Sequence, residues 1–192
     1  MKKVIILGAS GSLARHVIEK LKLEPDVHLT LFLRDRRKLK TLDVSDCSII
    51  EGDVLNYITL REAIKGQDIV YGNLAGDLGL MVKNIVTAMG ETNVKKLIFI
   101  SSIEIYNEPV RSILKQYRVA ADIIENSDLD YTILRPAWFT NDDEIKYELT
   151  KKGEPEKGSV ISRKSIAAFI SEVINSPDNY VRQNLGINKP NS

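Results

Sequence analysis

The stretch with the clearest chemical meaning is Val4-Ile5-Ile6-Leu7-Gly8-Ala9-Ser10-Gly11-Ser12-Leu13-Ala14, where an apolar run passes through two glycines into a helical pattern. Such a junction makes an anion site. The first N–H groups of a helix lack intrahelical partners and carry its partial positive charge. Gly8 permits a tight turn, Gly11 lets backbone N–H groups approach a diphosphate, and small Ala14 lets the helix pack close to the sheet. Ala9, Ser10, Ser12 and Leu13 complete the same contact surface. The spacing Gly-x-x-Gly-x-x-Ala departs from the Gly-x-Gly-x-x-Gly dinucleotide fingerprint, so the pattern alone also suits a turn and helix cap in an α/β domain of another kind.

The end of the second strand provides an independent signal. It reads Leu31-Phe32-Leu33-Arg34-Asp35-Arg36-Arg37-Lys38, at the position where a dinucleotide site meets the adenosine ribose. An acidic residue there suits a free 2′-hydroxyl and an arginine suits a 2′-phosphate. Arg34, with Arg37 near enough to assist, therefore favours NADP over NAD. Asp35 leaves NAD open, because its carboxylate can either pair with an arginine or face the ribose.

The elements that must position these residues follow from hydrophobic spacing. Short apolar, β-branched runs predict strands near 3–7, 27–33, 47–51, 68–72, 96–101 and 130–134, without strict alternation, as befits strands covered on both faces. Apolar residues at steps of three and four predict helices near 12–22, 56–65, 78–91 and 111–126. Arg135-Pro136 ends the sixth strand, a short helix is expected around Glu144–Leu149, and Ser162 should cap a helix running to about Ile174. The fold class this implies is α/β: a Rossmann-like doubly wound parallel sheet with helices on both faces, a single domain over 1–192 in which 135–192 forms a small substrate-side cap.

Composition narrows the function classes. The 192 residues carry 27 Lys plus Arg against 26 Asp plus Glu, a net charge of +1, which argues against a general nucleic-acid surface and leaves only a local anion site. One cysteine and two histidines offer no disulfide and no metal-ligand pattern. No apolar run approaches the roughly 20 residues of a membrane helix. Met1-Lys2-Lys3 is followed by an apolar stretch that breaks at Gly8, unlike a signal peptide, so a cytoplasmic location is expected.

Beyond the glycine turn and Arg34, the segments Gly52-Asp53-Val54, Gly72-Asn73-Leu74-Ala75-Gly76, Phe99-Ile100-Ser101-Ser102, Ser127 to Pro136 and Ile161-Ser162-Arg163 cover most of the chain. Together they resemble the atypical short-chain dehydrogenase/reductase superfamily, in particular its small NAD(P)H-binding members akin to biliverdin reductase B, flavin reductases and NmrA-like proteins. By position, the resemblance implies that Asp53 and Val54 contact the adenine, that Asn73, Leu74, Ala75 and Gly76 lie along the cofactor, and that Ser101 stands beside it. Ser102 matches the superfamily's catalytic serine. Pro136, Ala137, Trp138 and Phe139 are expected to wall the nicotinamide, with Trp138 placed to stack on a planar acceptor.

One departure constrains the chemistry. The usual Tyr-x-x-x-Lys pair is absent: its positions fall at Leu114 and Arg118, and Tyr117 is followed four residues later by Ala121. Reducing a carbonyl to an alcohol benefits from a proton donor of lowered pKa. Hydride transfer from NADPH to a flavin, quinone or tetrapyrrole needs it less, because the acceptor delocalises the incoming charge. The expectation is an NAD(P)H-dependent oxidoreductase acting on a small planar acceptor, as monomer or homodimer. The alternative is a non-catalytic NADP-binding regulator of the NmrA-like kind; a nucleotide-sugar epimerase or dehydratase is disfavoured by the missing pair and the small C-terminal region.

Overall fold

The structure, a computed structural model, describes residues 1–192. In chain order it contains β1 (Lys2–Leu7), α1 (Ser12–Leu21), β2 (Val27–Leu33), β3 (Ser48–Glu51), α2 (Tyr57–Ile64), β4 (Ile69–Gly72), α3 (Leu78–Thr92), β5 (Lys96–Ile100), α4 (Lys115–Glu125), β6 (Asp130–Pro136), β7 (Trp138–Thr140), β8 (Glu148–Lys151), β9 (Val160–Ser162), α5 (Arg163–Asn175) and β10 (Gln183–Asn188). Short 3-10 turns at Arg36–Leu39 and Ser112–Leu114 follow β2 and precede α4.

Alternation along β1 separates two layers. Val4 and Ile6 point into a core with Leu13, Val17 and Ile18 of α1 and Phe169, Ile170 and Val173 of α5. Ile5 and Leu7 point to the other face, against Val82 and Ile85 of α3 and Ala120 and Ile124 of α4. Both faces are therefore covered, which is why the strands read as continuous apolar runs. Burying each of Leu13, Val17, Ile18 and Leu21 stabilises α1 against the sheet by roughly 1.5–3 kcal/mol. That anchoring fixes where the helix N-terminus lies.

The main sheet has the order β3-β2-β1-β4-β5-β6-β10-β8, parallel throughout except for β8, which runs antiparallel to β10. This is the Rossmann-like α/β arrangement expected. The chain winds outward in one direction from β1 and in the other from β4, so a crevice opens at the carboxyl ends of those two strands. Register decides what faces it. Leu7 lies opposite both Phe32 and Gly72, so the residues that follow, Gly8, Leu33-Arg34 and Asn73, emerge side by side.

The C-terminal part differs from expectation in three ways. β10 lengthens the main sheet beside β6, and β8 adds its edge, so this segment builds the sheet as well as covering it. β6 continues through Pro136, a strand end where no further N–H is needed, and the Pro136 carbonyl still accepts from Ile103 N–H. The helix expected around Glu144–Leu149 is absent. Ser162 and Ser165 hydroxyls donate to the Glu144 carbonyl, and Ser165 also meets the Lys146 carbonyl and N–H. Those bonds hold the backbone extended where a helix would need the same groups, and β8 then covers the open edge of β10. Ser162 does cap α5, accepting from Ser165 N–H.

Gly8 is the position where conformation leaves no choice. Its φ is +84°, and a Cβ there would lie 2.2 Å from the Asn73 carbonyl oxygen, which is backbone and cannot swing away. Gly8→Ala is expected to destabilise the fold by about 2 kcal/mol or more, read as a lowered urea midpoint. An unchanged midpoint would show that the turn relaxes freely.

Candidate cofactor-binding cleft

The crevice between the two halves of the sheet is a cleft of about 330 Å³. At its floor the Gly8 N–H donates to the Phe32 carbonyl (3.0 Å), Gly11 N–H to the Gly8 carbonyl (3.0 Å) and Asn73 N–H to the Leu7 carbonyl (3.0 Å). These bonds lock the turn to the ends of β2 and β4. Gly11 is the N-cap of α1 and contributes no side-chain hydrogen bond, and no acidic residue stands in the first turn. By contrast, Asn56, Asp77 and Ser162 cap α2, α3 and α5 with their side chains. The N–H donors of α1 are thus left for a ligand, and they face the cleft.

The glycine turn contributes Gly8, Ser10, Gly11, Ser12 and Leu13 to the lining, joined by Arg34, Asp53, Val54, Asn73, Leu74 and Ala75. Seven segments distant in sequence meet there once the turn, the ends of β2 to β4, the two helices α3 and α4, and β7 are counted. Asp53 Oδ1 accepts from Leu55 N–H at 2.9 Å, and Asn84 Nδ2 donates to the Val54 carbonyl at 3.1 Å, which holds the Asp53-Val54 turn against α3. Arg34 is exposed and makes no ion pair. Asp35 is engaged elsewhere: its carboxylate caps the following 3-10 turn and takes Arg37 in a two-point pair, Nε to Oδ1 at 2.9 Å and Nη2 to Oδ2 at 3.0 Å. The Arg37 bonds hold the Asp35 carboxyl below its usual range. Asp35 therefore pairs with an arginine, and Arg34 is left as the free cation of the cleft.

Several expected residues lie elsewhere. Arg37 is turned into its pair with Asp35 and does not line the cleft. Ala9 is fully buried under the turn, and Gly76, at φ +113°, belongs to the bend leading into α3. Ser101 and Ser102 follow β5, but Ser101 N–H bonds to the Leu134 carbonyl and Ile103 N–H to the Pro136 carbonyl, drawing this segment along β6. Ser101 is buried with its hydroxyl unpartnered, and half-buried Ser102 stands outside the lining. Pro136 and Ala137 are buried in the sheet, Ala137 N–H donating to the Ile187 carbonyl. Trp138 is 61% exposed and points away, while its neighbour Phe139, on the opposite face of β7, reaches the cleft.

The lining also includes Phe32, Leu33, Gly52, Met81 and Tyr117. Gly52 is needed there because a Cβ would strike the Phe32 ring at 2.6 Å. Leu33 and Phe32 adjoin Arg34, a signal present in the sequence. Met81 and Tyr117 carry no such signal, since helix spacing alone does not say which polar-face residue meets a cleft. Burial raises the Tyr117 phenol above its usual pKa, and no lysine lies one turn on to lower it. The aromatic end of the cleft is thus apolar and weakly acidic.

Tyr106 belongs to a separate cluster. Its hydroxyl accepts from Asn184 Nδ2 at 2.7 Å, and Arg118, Arg135 and Lys152 all approach its ring. Arg135, 1% exposed, donates to Glu156 at 3.0 Å and to Asn184, while Glu156 accepts from Glu104 N–H at 2.8 Å. This ties the segment after β5 to the segment before β9. Arg135→Ala is expected to cost roughly 1–3 kcal/mol of stability, because the buried guanidinium's bonds to Glu156 and Asn184 are lost, while Glu156 keeps Glu104 N–H and Asn184 keeps Tyr106 and Glu125. Chemical denaturation checks it, and a loss near zero would mean water replaces the guanidinium.

A family model described as NAD(P)H-binding matches residues 8–177. The chain belongs to this NAD(P)H-binding family. The match begins at Gly8, the first residue of the glycine turn, in keeping with the resemblance drawn from the sequence. The solved structure of a Rossmann-fold NAD(P)-binding family protein from Shigella flexneri is 48% identical, with a TM-score of 0.92 over 100% of this chain and 95% of that one. A short-chain dehydrogenase/reductase from Veillonella parvula DSM 2008, solved in complex with NADP, is 26% identical, with a TM-score of 0.90 over 99% of this chain and 95% of that one. The uncharacterized sugar epimerase YhfK of Bacillus subtilis is 26% identical over 187 residues, 88% of this chain and 82% of its own length. This family member has no helix long and apolar enough to cross a membrane. No group of three or more His, Cys, Asp or Glu side chains gathers where it could hold a metal.

Proposed function

We propose that this protein is an NADPH-dependent reductase that delivers hydride to a planar acceptor such as a flavin or quinone. The observation that carries the reading is Arg34, an unpaired cation in the cleft at the ribose end, left free because Arg37 occupies Asp35. The residues present fit the cofactor: Gly8 and Gly11 pack flush against Asn73 with no side chain between turn and strand end, and Gly11 caps α1 with no side-chain hydrogen bond, so the first N–H groups of the helix are left for an anion. In this reading the α1 N-terminus holds the diphosphate, Arg34 grips the 2′-phosphate, and the Asp53 carboxylate accepts from the adenine amino group. When bound, NADPH supplies the hydride.

The rest of the work falls to Tyr117, Met81 and Phe139, whose apolar surfaces line the cleft and suit a flat ring. Their task is alignment and exclusion of water. Tyr117, with its pKa raised, is a poor proton donor for turning a carbonyl into an alkoxide, and an acceptor that spreads charge over a ring does not require one. The epimerase in the name of the Bacillus subtilis relative would need proton and hydride exchange at a sugar carbon, for which the cleft offers no tuned acid. A second reading, a non-catalytic NADP-binding regulator, is supported by the place of Ser102 outside the lining.

The test is NADPH oxidation, followed at its absorbance band, with FMN, FAD and quinones in turn. Acceptor-dependent oxidation with at least one of them is expected. Binding of NADPH without turnover on any acceptor would favour the regulator.

A further inference from the structure

Arg163 opens α5, far in sequence from the glycine turn, yet its Nε donates to Ser12 Oγ at 3.4 Å. Its Nη1 donates to the Thr140 carbonyl at 3.1 Å and to Asn141 Oδ1 at 2.8 Å, and its guanidinium carbon lies 5.1 Å from the centre of the Phe139 ring. Every oxygen that receives this cation is neutral. The acids of the adjoining segment are engaged elsewhere, Asp142 by the Thr140 hydroxyl, Asp143 by Lys164 and Glu144 by Lys189. Ser12 and Phe139 both line the cleft, and Ser12 is the first residue of the helix whose N–H donors are free.

A guanidinium set beside a helix N-terminus places like charges together, an arrangement that becomes favourable when an anion lies between them. Its place is also built. Ser162 caps α5 and bonds through its hydroxyl to the Glu144 carbonyl, fixing the turn from which Arg163 projects. We propose that Arg163 is a phosphate-binding residue of this cleft, clamping the cofactor's diphosphate from the C-terminal segment. The proposal rests on the NAD(P)H reading of the cleft and adds a contact that the glycine turn and Arg34 do not make. It also links the C-terminal segment to cofactor occupancy.

Equilibrium binding to the protein tests it, with NADPH, NADH and adenosine 2′-monophosphate as probes, against wild type, Arg163→Gln and Arg163→Lys. Because the diphosphate is common to both dinucleotides, Arg163→Gln should weaken NADPH and NADH alike, by about ten- to a hundredfold. Adenosine 2′-monophosphate, which has no phosphate at the 5′ position, should bind unchanged, and Arg163→Lys should recover part of the loss. Unchanged NADPH binding by Arg163→Gln would overturn the clamp while leaving the cofactor reading intact. So would a rise in KM for FMN but not for menadione at unchanged NADPH affinity, which would assign the cation to an anionic acceptor. An equal loss of adenosine 2′-monophosphate would also overturn it, since the arginine would then be supporting the whole cleft. Wild-type protein that binds neither dinucleotide would overturn the cofactor reading itself.

Discussion

Gly11→Val is expected to abolish binding of both NADPH and NADH, a loss beyond about a hundredfold, while leaving the protein folded. The reason lies in how Gly11 differs from Gly8. Gly11 has φ −66° and ψ 152°, a conformation open to any residue, so a side chain brings no backbone strain. Its Cβ would meet Asn73 Nδ2 at 2.7 Å, the mobile end of a side chain, and the Gly8 carbonyl at 3.3 Å. The added bulk then stands at the N-cap of α1, beside the N–H donors that a diphosphate would have to approach. At Gly8 the same change strikes backbone and costs stability; at Gly11 it costs the ligand. Isothermal titration and a thermal melt on one preparation separate the two effects. Wild-type affinity in Gly11→Val would show that the diphosphate is held somewhere other than this turn.

The second large effect is one of selectivity. Arg34→Ala should weaken NADPH binding by about ten- to a hundredfold, the loss of a charge-assisted contact to the 2′-phosphate, and leave NADH binding unchanged. Structural side effects should be small, since Arg34 is exposed and has no partner to strand. Asp35→Asn makes a useful companion. Releasing Arg37 from its carboxylate puts a second mobile guanidinium near the same phosphate, so NADPH affinity should hold or rise. Equal losses of NADPH and NADH in Arg34→Ala would mean that the arginine reads a feature common to both.

What the sequence could and could not convey follows from the range of the interactions involved. The glycine turn, β1 and α1 were legible because strand, glycines and amphipathic helix are contiguous, each recognisable by local spacing. Arg34 was legible because it sits one residue beyond β2, whose register with β1 places its end beside Gly8. β10 was not. Its sequence, Gln183-Asn184-Leu185-Gly186-Ile187-Asn188, lacks an apolar run because Asn184 and Asn188 are buried with dedicated partners, Tyr106, Glu125 and Arg135 for one and Glu148 for the other. Polar residues satisfied by tertiary contacts look like loop residues in a one-dimensional pattern.

Trp138 and Phe139 illustrate the same limit at the site. Which of the two enters the cleft depends on the facing of β7, and β7 is set by pairing with β9, more than twenty residues on: Trp138 lies opposite Val160 and Phe139 opposite Ile161. A one-residue shift in that register would exchange them. Ser102 was drawn from its position after β5, but the bonds that carry this segment along β6 depend on Leu134 and Pro136 carbonyls, a long-range feature. Tyr117, set aside for want of a lysine one turn on, enters the cleft because of where α4 lies, not because of its own neighbours.

Hydride transfer from NADPH is the central claim, and a single-turnover experiment tests it most directly. Protein loaded with NADPH deuterated at carbon 4 on one face or the other would be mixed with FMN or a quinone, and loss of the NADPH absorbance timed. Oxidation faster than without protein, and slowed by deuterium on one face only, is the predicted result. Oxidation no faster than in free solution, or equally fast with both deuterated forms, would contradict it.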